Sequence, residues 1–493
     1  MSNLSPKQIK FLLLIAGIAT ALFFYFINPF GVSEKASLVL SIAVLMIFWW
    51  VSEALPMPVV ALMPLILFPL FKVGDLKSVA GSYGDPVLFL FMGGFMLGLA
   101  IEKWNLHRRI ALGIVRMTGT SGNRIILGFI LATGFISMWI SNTATTMMMF
   151  PIALSVIHVI NEKGDHHGNL KRFNMAMMLS IAYAANFGGI ATIVGTPPNV
   201  AFIAYYENAY NANIYFLNWM LLCMPVAIIL MLSLYLVLTK ILFPNKILPN
   251  EDAGNYIRSE LNKLGPLSVS EKRVLIIFSA TALLWVTRDI INNLQDIFQL
   301  NDTVIALSGA VALFICPSDK MLNKNNAVED TEYHGSLLQW SDTKKMAWGI
   351  LILFGGGIAM ASGLEQAGLI QQLGEWLSTS ADKGFMLLLI VTVLSLFISE
   401  VMSNIAQVIV FAPVVCSLAD AVQMNPLMLG IPMTLAASCA SMMPMGTPPN
   451  AIVFASGHIK IKDMMKAGFV INLVAIALIS LFCWYLLPVL MKI

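Results

Sequence analysis

Two short polar groups recur in this chain inside segments otherwise as apolar as lipid. Gly195-Thr196-Pro197-Pro198-Asn199 returns as Gly446-Thr447-Pro448-Pro449-Asn450, and Ser141-Asn142-Thr143 is answered by Ser403-Asn404-Ile405. Adjacent prolines forbid an unbroken helix, and broken backbone at membrane depth is tolerated only where it is buried in protein or lines a cavity. Hydroxyl and amide groups held there need partners. Helix N-termini meeting at such breaks present N–H groups and a positive dipole end, suited to an anion. Helix C-termini present carbonyl oxygens, suited to sodium. One site of this kind holds an anion and its co-transported cation without a charged side chain, and no Lys or Arg lies near either tripeptide in sequence. A lone Ser-Asn-Thr reads as a helix cap or an interhelical hydrogen bond; its duplication beside matched proline breaks favours a binding site.

The elements that must position these groups are membrane helices. Mean hydropathy is +0.82 and 11% of the 493 residues are charged, against roughly 25% in soluble chains. Spans are expected near 11–29, 37–53, 57–72, 86–102, 174–206, 214–243, 274–290, 302–316, 346–365, 427–458 and 464–490. The chain therefore reads as an all-α polytopic membrane protein with about 11 transmembrane helices, each needing about 20 residues. The stretches 122–160 and 384–422 are too short for two full crossings and a turn, and neither has a charged connector at its middle. They are predicted to be re-entrant hairpins with tips near Ser141 and Ser403.

The first span is not expected to be a cleaved signal: Ala19-Thr20-Ala21 mimics a cleavage site, but the apolar run continues through Ile27. With the N-terminus placed in the cytoplasm, all lysines and arginines except Lys35, Lys72, Lys77, Arg288, Lys383 and Lys492 fall on the cytoplasmic side, as the positive-inside rule requires. The C-terminus then lies outside, in a cell membrane. The cysteines show no metal or redox spacing and read as buried small hydrophobes. His166-His167 reads as a solvated loop before a metal site. The polar stretch 246–272, with Tyr256, Ile257, Leu261 and Leu264 on one face, reads as a connector lying on the membrane surface.

The halves also align outside the polar motifs. Phe91, Gly93, Gly94 and Glu102 match Phe354, Gly356, Gly357 and Glu365 at a constant spacing, and Pro151 matches Pro413. An odd number of crossings separates the equivalent landmarks, which defines an inverted-topology repeat with broken helices at the midplane. The chain is expected to divide into scaffold helices and the start of the first repeat (1–118) and a first hairpin with its transport half (119–245). The connector and second-repeat scaffold helices follow (246–382), then a second hairpin with its transport half (383–493).

On these paired tips and breaks, and on the stretch Trp49-Trp50-Val51-Ser52-Glu53-Ala54-Leu55-Pro56, the chain resembles the divalent anion/sodium symporters from about residue 35 to 490. That family includes dicarboxylate, citrate and sulfate transporters. The resemblance implies a homodimer in the lipid bilayer, its scaffold carrying mobile domains that work like an elevator. It implies substrate contacts from Ser141, Asn142, Thr143 and Thr196 on one side and from Ser403, Asn404 and Thr447 on the other. It implies one sodium at Ser137, Ser141, Asn142 and the backbone near Gly195, and a second at Ser399, Asn404 and the backbone near Gly446. Pro197, Pro198, Pro448 and Pro449 would shape the breaks, with Asn199 and Asn450 stitching them to their neighbours.

One position departs from the family pattern. Ile405 stands where the second tip usually has Thr, and a lost hydrogen bond to a charged group is worth roughly 1.5–3 kcal/mol, enough to alter substrate preference. The reading is sodium-coupled transport of a small divalent anion, a C4-dicarboxylate such as succinate or malate before sulfate, citrate or dicarboxylate exchange. An enzyme is disfavoured: there is no His-Glu-x-x-His, no Cys/His pairing and no base near Ser141. An anion channel differs by flux that does not saturate and ignores sodium, and nucleic acid is not a partner. Glu53, Glu102 and Glu365 read as solvated at span ends, whereas Glu400, beside Ser399, is expected near the outer hairpin tip, where a charge is a functional candidate.

Overall fold

The computed structural model describes residues 5–29, 31–162, 167–245, 247–249, 251–319, 335–372 and 384–491. Lys163, Lys246, Lys320, Lys324, Lys383 and Lys492, which enter the charge count above, lie outside this set with His166 and His334, and the side chain of His167 is not described. Among the described residues the regular secondary structure is helical, apart from one isolated bridge between Pro317 and Ser336. Nine of their helical segments are long and apolar enough to cross a membrane by length and composition, and five shorter apolar helices accompany them.

Both hairpins form where the sequence places them. Helices α1 (Gly122–Ser137) and α2 (Asn142–Glu162) turn at 138–141, and α3 (Phe385–Ser399) and α4 (Asn404–Ala421) turn at 400–403. The spans expected at 174–206 and 427–458 are each two helices. The first is α5 (His167–Gly189) and α6 (Pro197–Tyr210); the second is α7 (Leu427–Ser438) and α8 (Pro448–Phe454). Each second piece starts on a proline, where the missing N–H would be unpaired in any case. The span expected at 57–72 is likewise broken, into Met57–Val60 and Met63–Leu70, because Pro64 forces a restart.

Every residue of α7 is buried, as is α5 from Phe173 to Gly189, so these helices are covered all round and form the centre of the bundle, with Asn174, Ser180 and Asn186 buried among apolar neighbours on α5. Close packing there depends on glycine. A Cβ on Gly188 would lie 2.1 Å from the Gly134 carbonyl oxygen and 2.6 Å from its Cα. Backbone cannot yield as a side-chain tip can, so Gly188→Ala is expected to destabilise the protein by about 3 kcal/mol, the upper end of overpacking. A thermal melt of the purified protein in detergent reads this directly.

Equivalent landmarks of the repeat meet in space. The matched rings of Phe91 and Phe354 touch edge to face, with centroids 5.6 Å apart. Gly93 admits the backbone of Ala306, and its partner Gly356 admits the backbone of Ala61. The expected surface connector contains the helix Glu251–Lys263. Its apolar stripe covers Leu106–Thr118 and α2 rather than facing lipid alone, and ion pairs Arg108–Glu260 and Arg109–Glu271 fasten it. Arg109 also donates to the carbonyls of Leu264, Gly265 and Pro266.

Candidate functional site

The two hairpin tips and the two breaks, far apart in sequence, border a single cavity of about 480 Å³. The first repeat contributes Ser141, Asn142 and Thr143 from its tip and Thr196 and Pro197 from its break. The second contributes Asn404 and Ile405, with Thr447, Pro448 and Pro449. Helices α2, α4, α6 and α8 all begin on this wall. Thr196 and Thr447 cap α6 and α8 in nearly identical extended geometry, φ −143° and −144°, and neither hydroxyl is spent on a cap hydrogen bond. Several helix N-termini thus face one space.

Behind the first tip lies a cluster of oxygens. Ser137 Oγ donates to Asn142 Oδ1 at 2.8 Å, and Asn142 Nδ2 reaches Thr196 Oγ1 at 3.5 Å. A Cβ on Gly195 would stand 2.4 Å from the Gly189 carbonyl oxygen and 3.0 Å from that of Met138, and one on Gly189 would stand 2.2 Å from Asn142 Oδ1. Only glycine lets these carbonyls crowd together, and hard oxygen donors are what a small hard cation takes. Asn199, fully buried, donates from Nδ2 to the carbonyls of Gly189, Ile190 and Thr192 and holds the break open. Asn450 does the same for Ala440 and Met443, at 3.1 Å each.

The second tip is built differently. Ser399 Oγ donates to the Ala437 carbonyl at 2.6 Å, where its counterpart Ser137 turns to the tip asparagine. Glu400 is 4% exposed and is anchored by amides. Its carboxylate accepts the N–H groups of Ser441, Met442 and Met443 at 2.8–3.0 Å and Asn472 Nδ2 at 2.6 Å. Oε2 also faces Gly446, whose Cβ would lie 3.1 Å away. Glu400 is therefore an internal anchor of the second break, while Glu53, Glu102 and Glu365 are exposed.

Several residues stand elsewhere than the sequence suggests. Ser403 is the N-cap residue of α4 and is half-buried, but its side chain makes no cap bond and does not border the cavity. Ser141 Oγ both borders the cavity and accepts the Ala144 N–H at 3.3 Å, so the helix-cap reading holds for it alongside the cavity. Lys345, Glu102 and Asn186 also border the cavity, and sequence proximity to the tips revealed none of them. Asn186 was findable: it is an amide inside an apolar run, just ahead of a break. Lys345 was not, because only the fold brings it to the wall. A smaller pocket shares Glu102 and Ile140 with the cavity and reaches His107, whose ring lies 2.8 Å from the Ile101 carbonyl. Burial holds that imidazole below its usual pKa range, so it is neutral near pH 7.

Comparison with known proteins decides the family. The model of the sodium:sulfate symporter transmembrane region matches residues 7–492. The chain belongs to the sodium:sulfate symporter family. Among its relatives is a sodium-dependent dicarboxylate transporter, SdcS, of Staphylococcus saprophyticus, 38% identical over 94% of this chain and 88% of that one. The SdcS of Staphylococcus aureus is 36% identical over 97% and 90%. The same fold is seen in two solved transporters of low sequence identity. Alcanivorax borkumensis YdaH has a TM-score of 0.55 and 14% identity, covering 84% of this chain and 89% of that one. Neisseria gonorrhoeae MtrF has a TM-score of 0.55 and 12% identity, covering 95% and 97%.

Within this family member the free cysteines are structural: Cys223, Cys416, Cys439 and Cys483 are buried and Cys316 is half-buried. Among the described residues no group of His, Cys, Asp and Glu is arranged to hold a metal ion.

Proposed function

We propose that this symporter carries a small divalent anion, a four-carbon dicarboxylate such as succinate or malate, together with sodium. The observation that carries the reading is the single cavity bordered by the polar tips and breaks of both repeats. Ser141, Asn142, Thr143 and Thr196 bind one carboxylate, and Asn404 and Thr447 bind the other. Ser403 supports Asn404 as the residue that starts α4. One sodium is held by Ser137, Ser141, Asn142 and the backbone at Gly195, where oxygens crowd behind the first tip. A second is held by Ser399, Asn404 and the backbone at Gly446. Lys345 and Glu102 on the wall balance each other in charge, so each sodium offsets negative charge of the dianion.

The cavity borders Lys345 and Glu102, beside Lys103 and Lys344, on the face that the positive-inside rule assigns to the cytoplasm. The molecule is accordingly inward-facing, its N-terminus is cytoplasmic and its C-terminus is outside. The segments 119–245 and 383–493 make up a transport domain that moves like an elevator against a scaffold built from 1–118 and 246–382, in a homodimer.

Uptake of radiolabelled succinate into proteoliposomes, with and without an inward sodium gradient, tests this assignment. Sodium-driven uptake inhibited by malate more than by sulfate or citrate is expected. Preferred competition by sulfate or citrate would transfer the assignment to those anions, and Ile405 on the wall would be the residue to change first. Uptake that ignores sodium and needs internal anion would make the protein an exchanger.

A further inference from the structure

Among the described residues, Lys345 and Glu102 are the charged side chains on the wall of the cavity. Neither enters an ion pair among the described residues, whereas the neighbouring Lys103 is spent on Asp342 at 2.7 Å. Lys345 is exposed and ends the short helix Trp340–Lys345, which leads into the helix Trp348–Gln366. An unpaired ammonium on a cavity wall attracts any anion that enters the space.

The repeat holds no second copy of this lysine. At the spacing that matches Phe91 with Phe354 and Glu102 with Glu365, the counterpart of Lys345 is Ser82, in the turn Ser82–Gly84 ahead of the helix Pro86–Lys103. The glutamate is duplicated and the lysine is not. Glu365 borders a pocket with Asp420, Ser82 borders one with Asp85, and neither pocket is bordered by a described Lys or Arg. Exchange of the repeats between inward-facing and outward-facing states puts Glu365 and Ser82 at the outer entrance in place of Glu102 and Lys345. The inner entrance is neutral in sum and the outer one is acidic.

Glu102, Ser82, Lys345 and Glu365 all lie in the segments assigned above to the scaffold, while the tips travel with the transport domain. Lys345 consequently meets the substrate only while the cavity faces the cytoplasm. We infer that Lys345 is an affinity-setting residue for the dianion on the cytoplasmic face alone, so that accumulated internal substrate rebinds and slows net uptake. This rests on the dianion and elevator readings above. A sphere of about 480 Å³ is about 10 Å across, close to the Debye length of about 8 Å at physiological ionic strength. The lysine therefore acts across the whole cavity, and added salt weakens it.

The test measures half-saturation for labelled succinate in inverted and in right-side-out membrane vesicles, which present the cytoplasmic and the outer face. At low ionic strength and fixed sodium, Lys345→Gln should raise the value about fivefold in inverted vesicles, as one charge acting on two through water over that distance requires. In right-side-out vesicles it should change little. Lys345→Arg should restore the wild-type value, and Lys344→Gln, which removes a charge from beside the wall, should leave both faces unchanged. Choline chloride added at fixed sodium should weaken wild-type binding in inverted vesicles and not in right-side-out ones. That arm needs no variant, so it decides the matter even where a substitution does not fold. Equal effects of Lys345→Gln on both faces, or none on the cytoplasmic face, would overturn the inference, as would equal salt dependence on both. An effect confined to right-side-out vesicles would overturn it together with the inward-facing orientation. Absence of uptake of any dicarboxylate by wild-type vesicles of either kind is a separate result, and it removes the dicarboxylate reading together with this one.

Discussion

Asn142→Ala is expected to lower sodium-driven dicarboxylate uptake at least a hundredfold in kcat/KM. The side chain works on both sides of the first tip. Oδ1 holds Ser137 Oγ and faces Gly189, and Nδ2 reaches Thr196 Oγ1 on the cavity wall. Alanine removes an oxygen from the proposed cation cluster and a donor from the proposed anion site together. Interactions with charged groups are worth roughly 1.5–3 kcal/mol each, so losing both gives about 3–6 kcal/mol, a factor of 10² or more. Initial rates across a range of sodium concentrations separate the two losses, because saturating sodium restores the cation part alone. A variant that melts like the wild type and keeps uptake within threefold would remove Asn142 from the site.

Glu400→Ala is expected to have the largest effect on stability. The carboxylate satisfies the buried N–H of Ser441 and the half-buried N–H groups of Met442 and Met443, which the break at 439–447 takes out of helical bonding. A buried donor left unpaired costs roughly 1–3 kcal/mol, so three together amount to about 3–5 kcal/mol after relaxation. Glu400→Gln keeps one acceptor oxygen but turns an NH₂ toward other donors, so its loss should fall between those of wild type and Ala. The melting temperature in detergent measures both. The Glu400 carboxylate also lies beside Gly446, so Glu400→Gln should raise the sodium KM even where the protein remains folded. A melting temperature unchanged in Glu400→Ala would mean that water replaces the carboxylate and that the break supports itself.

What could be read from the chain followed from whether the physics was local or repeated. Paired prolines break a helix wherever they stand, so both breaks were legible at Pro197-Pro198 and Pro448-Pro449. The tips were legible because Ser141-Asn142 recurs as Ser403-Asn404 and because 39-residue stretches cannot cross twice. Pro64 carries the same local signal, but unpaired and unrepeated, so hydropathy alone makes 57–72 one continuous span. The cavity wall was less legible. Asn186 has no echo: the equivalent position ahead of Thr447 is Ala437. Lys345 reaches the wall through tertiary packing alone. Motif symmetry suggested equal roles for Ser141 and Ser403, yet the turn at 400–403 is held by Glu400 and keeps Ser403 off the wall, whereas Met138 occupies the matching place in the first tip. Sequence symmetry thus located both halves of the site and overstated how alike they are.

The central claim is that a dianion in the cavity and sodium held behind the hairpin tips share Ser141, Asn142 and Asn404, which makes their coupling reciprocal. The most direct measurement is influx of ²²Na⁺ into proteoliposomes with equal sodium on both sides and an inward succinate gradient. The predicted result is transient accumulation of ²²Na⁺ above equilibrium, abolished in Asn142→Ala. Succinate entry that leaves the ²²Na⁺ distribution at equilibrium would contradict a shared, coupled site.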